Sequence, residues 1–504
     1  MKTITEKHSD RLFGRLAGQF RKIAAVAHPS EGLKTKVMRG GVWLGAGSFT
    51  EQVLRFGRNM ILTRLLAPEA FGTMAIILSA SSVIQSMTEV GVREGLIQHP
   101  KGDQEEHVGA AWWLAFGRAV SLYALLFIAA PFIASFYGNI ELTKLLRVAS
   151  LGLLFEGAIS TKAYVALKQM RFSRWAIINH GGAILGVVTA VALSFYIRDV
   201  WALVLGYCAE SVAKCILSFI VCPYLPPFGW HPEAIRDLLR FSKGVFGLPL
   251  LNLVFIRADI FVLAKLYSPA DLGLYAMAIY LVQTPASFLS NLLGQTLLPA
   301  YSQVQGDDRR TNRILVRVTS ALALTGMPVL VFVLFCGRSV LTVAYGQRYG
   351  AAALPLIVAA FVALLNVING QITMVFYARG TPQLHRRCVV IMAIIMIVLI
   401  YPAVERFGLV GGQMAALAAI VAGLLFQVLR VRDLIGLDLA VYGRIFALAA
   451  AISFGIALLS LSTRPFAILA HPIPNILLGA LGCVIAYALS VGMFLRGDLK
   501  ELEG

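Results

Sequence analysis

The chain has 504 residues, of which 58% are hydrophobic and only 14% charged, and its mean hydropathy is +0.77. A soluble domain carries roughly 25% charged residues, so a water-soluble globular enzyme is excluded and lipid is the natural solvent. The formal net charge of +18 would point to nucleic acid in a soluble chain. Here the basic residues gather in the loops of one side, so a membrane is expected and no nucleic-acid partner.

The first segment, 1–38, is polar and basic, with no short apolar core of the kind a cleaved leader has. Within it, Leu12, Phe13, Leu16, Phe20, Ile23 and Ala27 recur at helical spacing, with Arg11, Arg15 and Lys22 on the other face. That pattern predicts an amphipathic helix lying on an anionic leaflet.

A bilayer core of ~30 Å needs ~20 apolar residues per helix, and about fourteen such stretches follow. The first six are 40–63, 70–94, 109–135, 143–165, 173–196 and 201–222. The next six are 242–264, 272–297, 314–336, 351–378, 387–404 and 409–429, and the last two are 442–462 and 474–495. The expected fold is therefore an all-α integral membrane protein. Its divisions are a cytoplasmic basic segment (1–38), a six-helix N-terminal lobe (39–222), a cytoplasmic linker (223–241), a six-helix C-terminal lobe (242–430), two additional helices (431–496) and a cytoplasmic tail (497–504).

Charge fixes the orientation. One set of loops carries Lys168, Arg171 and Arg174, then Arg236, Arg240 and Lys243, then Arg309, Arg310, Arg313 and Arg317, then Arg379, Arg386 and Arg387, and later Arg430, Arg432 and Arg444. The opposite loops carry little beyond Arg64, Arg198, Lys265, Arg406 and Arg464, with Arg338 and Arg348 sharing one loop. The rule that cytoplasmic loops are the basic ones puts both termini inside.

The twelve residues Arg64 to Ala75, RLLAPEAFGTMA, recur 201 positions later as KLYSPADLGLYA, Lys265 to Ala276. A basic residue, a Leu, a Pro, a Gly and an Ala keep their offsets, and each copy joins two hydrophobic helices. Six spans lie between the copies, so the lobes are expected to be parallel, related by an axis along the membrane normal, with a substrate path between them.

Ionisable residues inside the membrane are costly and usually face a wet cavity or a partner. Glu51, Arg55 and Arg58 form one stripe on the first span, and Glu89 and Arg93 lie one turn apart on the second. Arg118 follows on the third, Arg147, Glu156 and Lys162 on the fourth, Glu210 and Lys214 on the sixth, and Arg257 and Asp259 on the seventh. One reading is a cationic cavity for an anionic head group, with Arg55, Arg58, Arg93, Arg118 and Arg257 as the binding residues, because a guanidinium can hold phosphate oxygens bidentately. The plainer reading is that Glu51 with Arg55, Glu89 with Arg93 and Glu210 with Lys214 are neutralised pairs that hold helices together. Glu51, Glu89 and Asp259 are candidates for gating or ion coupling. The 201-residue offset maps Arg58 onto Asp259, which predicts an inter-lobe ion pair acting as an outer gate. Pro249, Pro285, Pro328 and Pro355 interrupt apolar stretches and are expected to kink helices.

The six cysteines include no CxxC pair, so neither a disulfide framework nor a metal site is expected from them. His180 and His385 each stand alone and are expected to be structural. Walker-type and Rossmann glycine patterns are absent, and no cofactor is expected.

These residues resemble a known family. The pattern Arg-Leu-Leu-x-Pro-Glu-x-Phe-Gly (64–72), the Arg257-Ala-Asp259 stretch, LYSPADLGLYA (266–276) and Leu298-Pro299-Ala300-Tyr301-Ser302 are similar to the polysaccharide transporters of the multidrug/oligosaccharidyl-lipid/polysaccharide exporter superfamily, often called Wzx-type flippases. The resemblance spans about 38 to about 430. It implies twelve to fourteen helices in two six-helix lobes, and movement of undecaprenyl-diphosphate-linked oligosaccharide repeat units across the bacterial inner membrane by alternating access driven by an ion gradient. It also implies a polysaccharide polymerase and a chain-length regulator as partners, besides the membrane lipids. The competing classes are a lipid II flippase or cation-coupled drug exporter of the same superfamily, and a membrane polymerase or glycosyltransferase. The last lacks a sizeable loop, an acid/base constellation and an Asp-x-Asp motif in this chain.

Overall fold

A computed structural model describes residues 33–87, 92–227, 232–242, 248–462 and, within 472–482, all but 475 and 478. The amphipathic stretch expected in segment 1–38 lies outside the described residues, as do Glu89, Lys243 and the tail. Every described element is helical.

In the first lobe the helices are α1 (Leu33–Leu65), α2 (Pro68–Met87), α3 (Val92–Gln98), α4 (Glu105–Tyr137), α5 (Glu141–Gly157), α6 (Lys162–Lys168), α7 (Phe172–Tyr196) and α8 (Val200–Val221). A short α9 (Pro232–Ser242) lies in the linker. The second lobe holds α10 (Leu248–Leu266), α11 (Pro269–Gln303), α12 (Asp308–Tyr345), a 3₁₀ turn (Gln347–Ala352), α13 (Ala353–Ala378), α14 (Pro382–Phe407) and α15 (Leu409–Ile435), and α16 (Leu439–Ser462) follows. A helix underlies each predicted apolar stretch, and Pro472–Gly482 marks the start of the last. Among the described residues, eight helices are long and apolar enough by themselves to cross a membrane. The longest are α11 and α12; at 35 and 38 residues and ~1.5 Å per residue they overrun a ~30 Å core.

The fourth stretch, expected as one span over 143–165, is broken. The α5 helix stops at Gly157, and α6 starts afresh at Lys162. The cause is local. The Ser160 N–H donates to the Ser218 hydroxyl at 2.9 Å, and the Ser160 hydroxyl donates to the Cys222 carbonyl at 2.9 Å. The Thr161 hydroxyl donates to the Val108 carbonyl at 3.0 Å. Short hydroxyl side chains that satisfy backbone groups elsewhere compete with the helix ladder, and these three bonds are fully buried. The prolines divide likewise. Pro285 and Pro328 lie inside α11 and α12, whereas Pro355 follows the 3₁₀-to-α junction, where a missing N–H costs little.

The two lobes pack by the same plan. In each, the first helix lies on the fifth (α1 on α7, α10 on α14), and the fifth on the sixth (α7 on α8, α14 on α15). The third lies on the fourth (α4 on α5, α12 on α13), and the fourth on the sixth (α5 on α8, α13 on α15). The same chain order and the same neighbours make the lobes structural repeats, and the six spans between equivalent helices make them parallel, the arrangement the 201-residue offset predicts. Between lobes, α2 packs against both α10 and α11. The main apolar cluster runs through this seam, joining Leu62, Phe71 and Ile77 to Leu263, Leu272 and Tyr275.

Candidate functional site

The repeat turns meet each other. The Cβ that Gly72 lacks would sit 2.0 Å from the Pro269 carbonyl oxygen, and the Cβ that Gly273 lacks would sit 1.9 Å from the Pro68 carbonyl oxygen. The Pro and the Gly of each copy therefore clasp the Gly and the Pro of the other, about a local two-fold axis between the first turns of α2 and α11. Proline suits the first turn, since its absent N–H has no partner there. Glycine alone allows the two backbones this approach. The α11 start is further fixed by Ser268, whose hydroxyl accepts the Asp271 N–H at 3.2 Å and donates to the Asp271 carboxylate at 2.6 Å.

The basic residue of each copy completes the clasp. Arg64 reaches the end of α12 in the second lobe, donating to the Val343 carbonyl at 2.7 Å and the Ala344 carbonyl at 3.3 Å. Lys265 reaches the end of α4 in the first lobe, donating to the Phe136 carbonyl at 2.5 Å with its ammonium 4.5 Å from the Phe136 ring centre. Each lobe thus places a cation on the C-terminal carbonyls of the other lobe's third helix, where the helix dipole favours it. The aromatic pairs Phe56–Tyr345 and Phe71–Tyr349, with ring centres 6.2 and 6.5 Å apart, close the same end. Away from the clasp the lobe faces are mixed. Along α1, Leu62 is buried at 0% exposure while Ile61, Val53 and Phe49 are exposed at 44%, 54% and 59%. On α11 the mostly buried run from Leu272 to Ala278 gives way to half-buried and exposed residues, and Leu297 and Tyr301 are buried again. Phe49 of the first lobe and Phe288 of the second pack against each other, with ring centres 5.9 Å apart.

A charged network lines the first lobe below the clasp. Arg55 on α1 donates through Nε to Glu51 Oε1 at 2.9 Å and through Nη2 to Glu210 Oε1 on α8 at 2.5 Å. Lys214 Nζ lies 2.8 Å from the same Glu210 oxygen. His180 on α7 meets Glu51 Oε2 through Nδ1 at 2.8 Å. Gly47 makes room for that ring, because a Cβ there would lie 2.3 Å from His180 Nε2. Five ionisable groups on three helices thus form one chain, and Arg55 is held by two carboxylates. The i, i+4 pairs were visible in the sequence. The bridge between α1 and α8 was not, and His180, expected to be a lone structural residue, is the third corner.

The predicted Arg58–Asp259 ion pair is absent. Arg58 donates through Nε and Nη2 to Asn59 Oδ1, both at 3.1 Å, and faces Tyr280 and Tyr345 of the second lobe. Asp259 is 5% exposed and belongs to a buried triad. Tyr275 donates its hydroxyl to Asp259 Oδ2 at 2.5 Å, and Gln413 Nε2 reaches that oxygen at 3.1 Å and the Tyr275 oxygen at 2.7 Å. Gly412 leaves space for it, since a Cβ there would lie 2.9 Å from the Tyr275 oxygen. Equal offsets in a repeat give equal places in each lobe, but a side chain turns to the partner its own lobe offers. Tyr275 and Gln413 outcompete Arg58 because they satisfy the carboxylate inside its own lobe.

The other predicted binding residues are dispersed. Arg118 donates to the Gln85 carbonyl at 2.7 Å near the end of α2. Arg93 stacks over Trp175 at 4.9 Å. Arg257 is half-buried, two residues before Asp259 of the triad. Arg55 and Arg58 share the α1 stripe.

The chain matches the family model described as polysaccharide biosynthesis protein over residues 61–355. It is 23% identical over 301 residues to the succinoglycan biosynthesis transport protein ExoT of Rhizobium meliloti, a match covering 59% of this chain and 60% of that one. It is 24% identical to the teichuronic acid biosynthesis protein TuaB of Bacillus subtilis, covering 69% and 72%. It is 20% identical to the lipopolysaccharide biosynthesis protein WzxC of Escherichia coli, covering 78% of each. Among solved structures, the fold is shared with the lipid II flippase MurJ in its inward closed conformation, at a TM-score of 0.72 and 13% identity over 90% of this chain and 98% of that one. It is shared also with an inward-facing multidrug resistance MATE family transporter, at 0.58 and 12% over 76% and 95%. The family match runs over more than half of a chain whose apolar helices make it a multi-pass membrane protein, and the chain belongs to the polysaccharide biosynthesis protein family.

Proposed function

We propose that this chain is a flippase that carries undecaprenyl-diphosphate-linked oligosaccharide repeat units from the cytoplasmic to the periplasmic leaflet of the bacterial inner membrane. The observation that carries the reading is the clasp: two parallel lobes, built alike, joined at one end by reciprocal Pro–Gly contacts. A molecule built this way changes access by parting its lobes at the clasp and meeting at the far end. The basic loops lie at the end away from the clasp, and by the positive-inside rule this reading puts both termini in the cytoplasm and the clasp on the periplasmic side.

The lipid-linked head group is a diphosphate followed by sugars, and among the described residues Arg58 and Arg257 make no ion pair with a carboxylate in this state. They are the first hands for phosphate, with Arg93 and Arg118 as further ones. Arg55 is already neutralised twice, so its role is to trade Glu210 or Glu51 for substrate oxygens. Glu51 with His180, and Asp259 within its triad, are the groups through which an ion gradient couples. A polymerase and a chain-length regulator use the product on the periplasmic side.

The test is the sidedness of lipid-linked oligosaccharide in cells depleted of the chain, probed with a membrane-impermeant enzyme. Complete repeat units held on the cytoplasmic side are expected. Unpolymerised units on the periplasmic side would move the function to polymerisation or export and overturn the reading.

A further inference from the structure

At the end opposite the clasp, three metal-ligating side chains from separate segments converge. His99 follows α3, His107 lies in the first turn of α4, and Asp237 lies on α9 in the linker between the lobes. Their donor atoms all lie within 4.8 Å of one another. His99 Nε2 is 3.6 Å and His107 Nε2 is 3.8 Å from Asp237 Oδ2. We propose that this trio is a divalent-metal site of the zinc class, pinning the inter-lobe linker to the first lobe.

The separations argue for a shared ion. They are too long for hydrogen bonds, whose donors and acceptors stand at about 2.7–3.2 Å. They approach the edge of a tetrahedron around an ion bound at ~2.0–2.1 Å, which is about 3.3–3.4 Å. His107 adds an independent observation. Its residue is 5% exposed, and neither ring nitrogen makes a hydrogen bond. Buried imidazoles ordinarily have a partner, and this one turns toward Asp237 without reaching it. Two imidazoles and one carboxylate suit zinc, and the side chains of Asp237 (47% exposed) and His99 (28% exposed) leave a way in from solvent and room for a water as fourth ligand.

The surroundings hold the donors in place. The α9 helix sits on the first lobe through Leu96, Ala110, Ala111, Ala234 and Leu238, all buried in one cluster beneath the trio. Lys168 donates to the His99 carbonyl at 2.7 Å and so fixes the His99 loop. The His99 and His107 rings stack with centres 4.7 Å apart, so their nitrogens are already side by side. One adjustment is needed. His99 Nδ1 takes a 3.3 Å contact from the Lys101 N–H, and this nitrogen carries the ring proton once Nε2 binds an ion.

The experiment is zinc binding to the full chain in nanodiscs after removal of metal by chelation. Zn²⁺ is added and quantified by elemental analysis, and Co²⁺ is substituted to read the visible absorption of a tetrahedral site. The wild type is expected to bind one ion per chain with that absorption. Asp237→Asn, whose half-exposed side chain leaves packing untouched, and His107→Gln should each weaken binding by at least about tenfold, and His385→Gln should not. Zinc binding unchanged in Asp237→Asn and His107→Gln, or a wild type that binds no more than either of these variants, would overturn the proposal. Neither result bears on whether the chain flips a lipid.

Discussion

Arg55 shows what one side chain decides. Its two carboxylates come from different helices, so it ties α1 to α8 at the depth where a substrate head group would pass. Hydrogen bonds to charged groups contribute about 1.5–3 kcal/mol each. A double-mutant cycle of Arg55→Ala and Glu210→Ala, followed by thermal unfolding in detergent, is expected to give a coupling of about 2 kcal/mol. Additive effects would mean that the pair is solvated and idle. Arg58→Ala is expected to lower flipping severely with little loss of stability, and Arg58→Lys to restore part of it. The sequence places Arg58 opposite Asp259, but the triad with Tyr275 and Gln413 removes Asp259 from that role. Reversing both charges, Arg58→Asp with Asp259→Arg, is therefore expected not to rescue transport in a complementation assay, and a rescue would restore the ion-pair gate. The stripe Glu51, Arg55, Arg58 was readable from helical spacing. His180 and the α1–α8 bridge were not, because they depend on which helices become neighbours.

Among elements, the turns before α2 and α11 repay the closest attention. Sequence alone shows the copies to be alike, from Arg64 and Lys265 through Pro68 and Pro269 to Gly72 and Gly273. It does not show that they touch, since a repeat states resemblance and not proximity. In the fold the retained basic residue, Pro and Gly of each copy all join lobes. Gly72→Ala and Gly273→Ala add a Cβ where a backbone carbonyl already stands, so the closed clasp must loosen. Each is expected to shift the lobes toward parting at this end, read as a longer spin-label distance between the starts of α2 and α11. Overpacking of this kind costs about 1–3 kcal/mol, enough to move a marginal equilibrium. An unchanged distance would mean that the turns do not bear on closure. The break between α5 and α6 was hidden for another reason. Hydropathy reads Ser160 and Thr161 as tolerable within a span, while their buried bonds to α8 and α4 are tertiary.

For the whole molecule, composition and the 201-residue repeat already described two parallel lobes in a membrane, because lipid leaves an apolar chain few other forms. What they could not describe is a state. The structure has the lobes joined at the repeat turns, and this junction ties fold to function. If transport proceeds by parting that junction, holding it shut must stop transport and nothing else. The most direct measurement uses cysteines at Glu69 and Ala270, pseudo-equivalent positions of the two turns, joined by a short reducible thiol cross-linker. Flipping of lipid-linked oligosaccharide is then followed by its accessibility to a membrane-impermeant enzyme. The account predicts that cross-linking arrests flipping and that reduction restores it. Full flipping with the turns still joined would contradict it, since the lobes would then pass substrate without ever parting there.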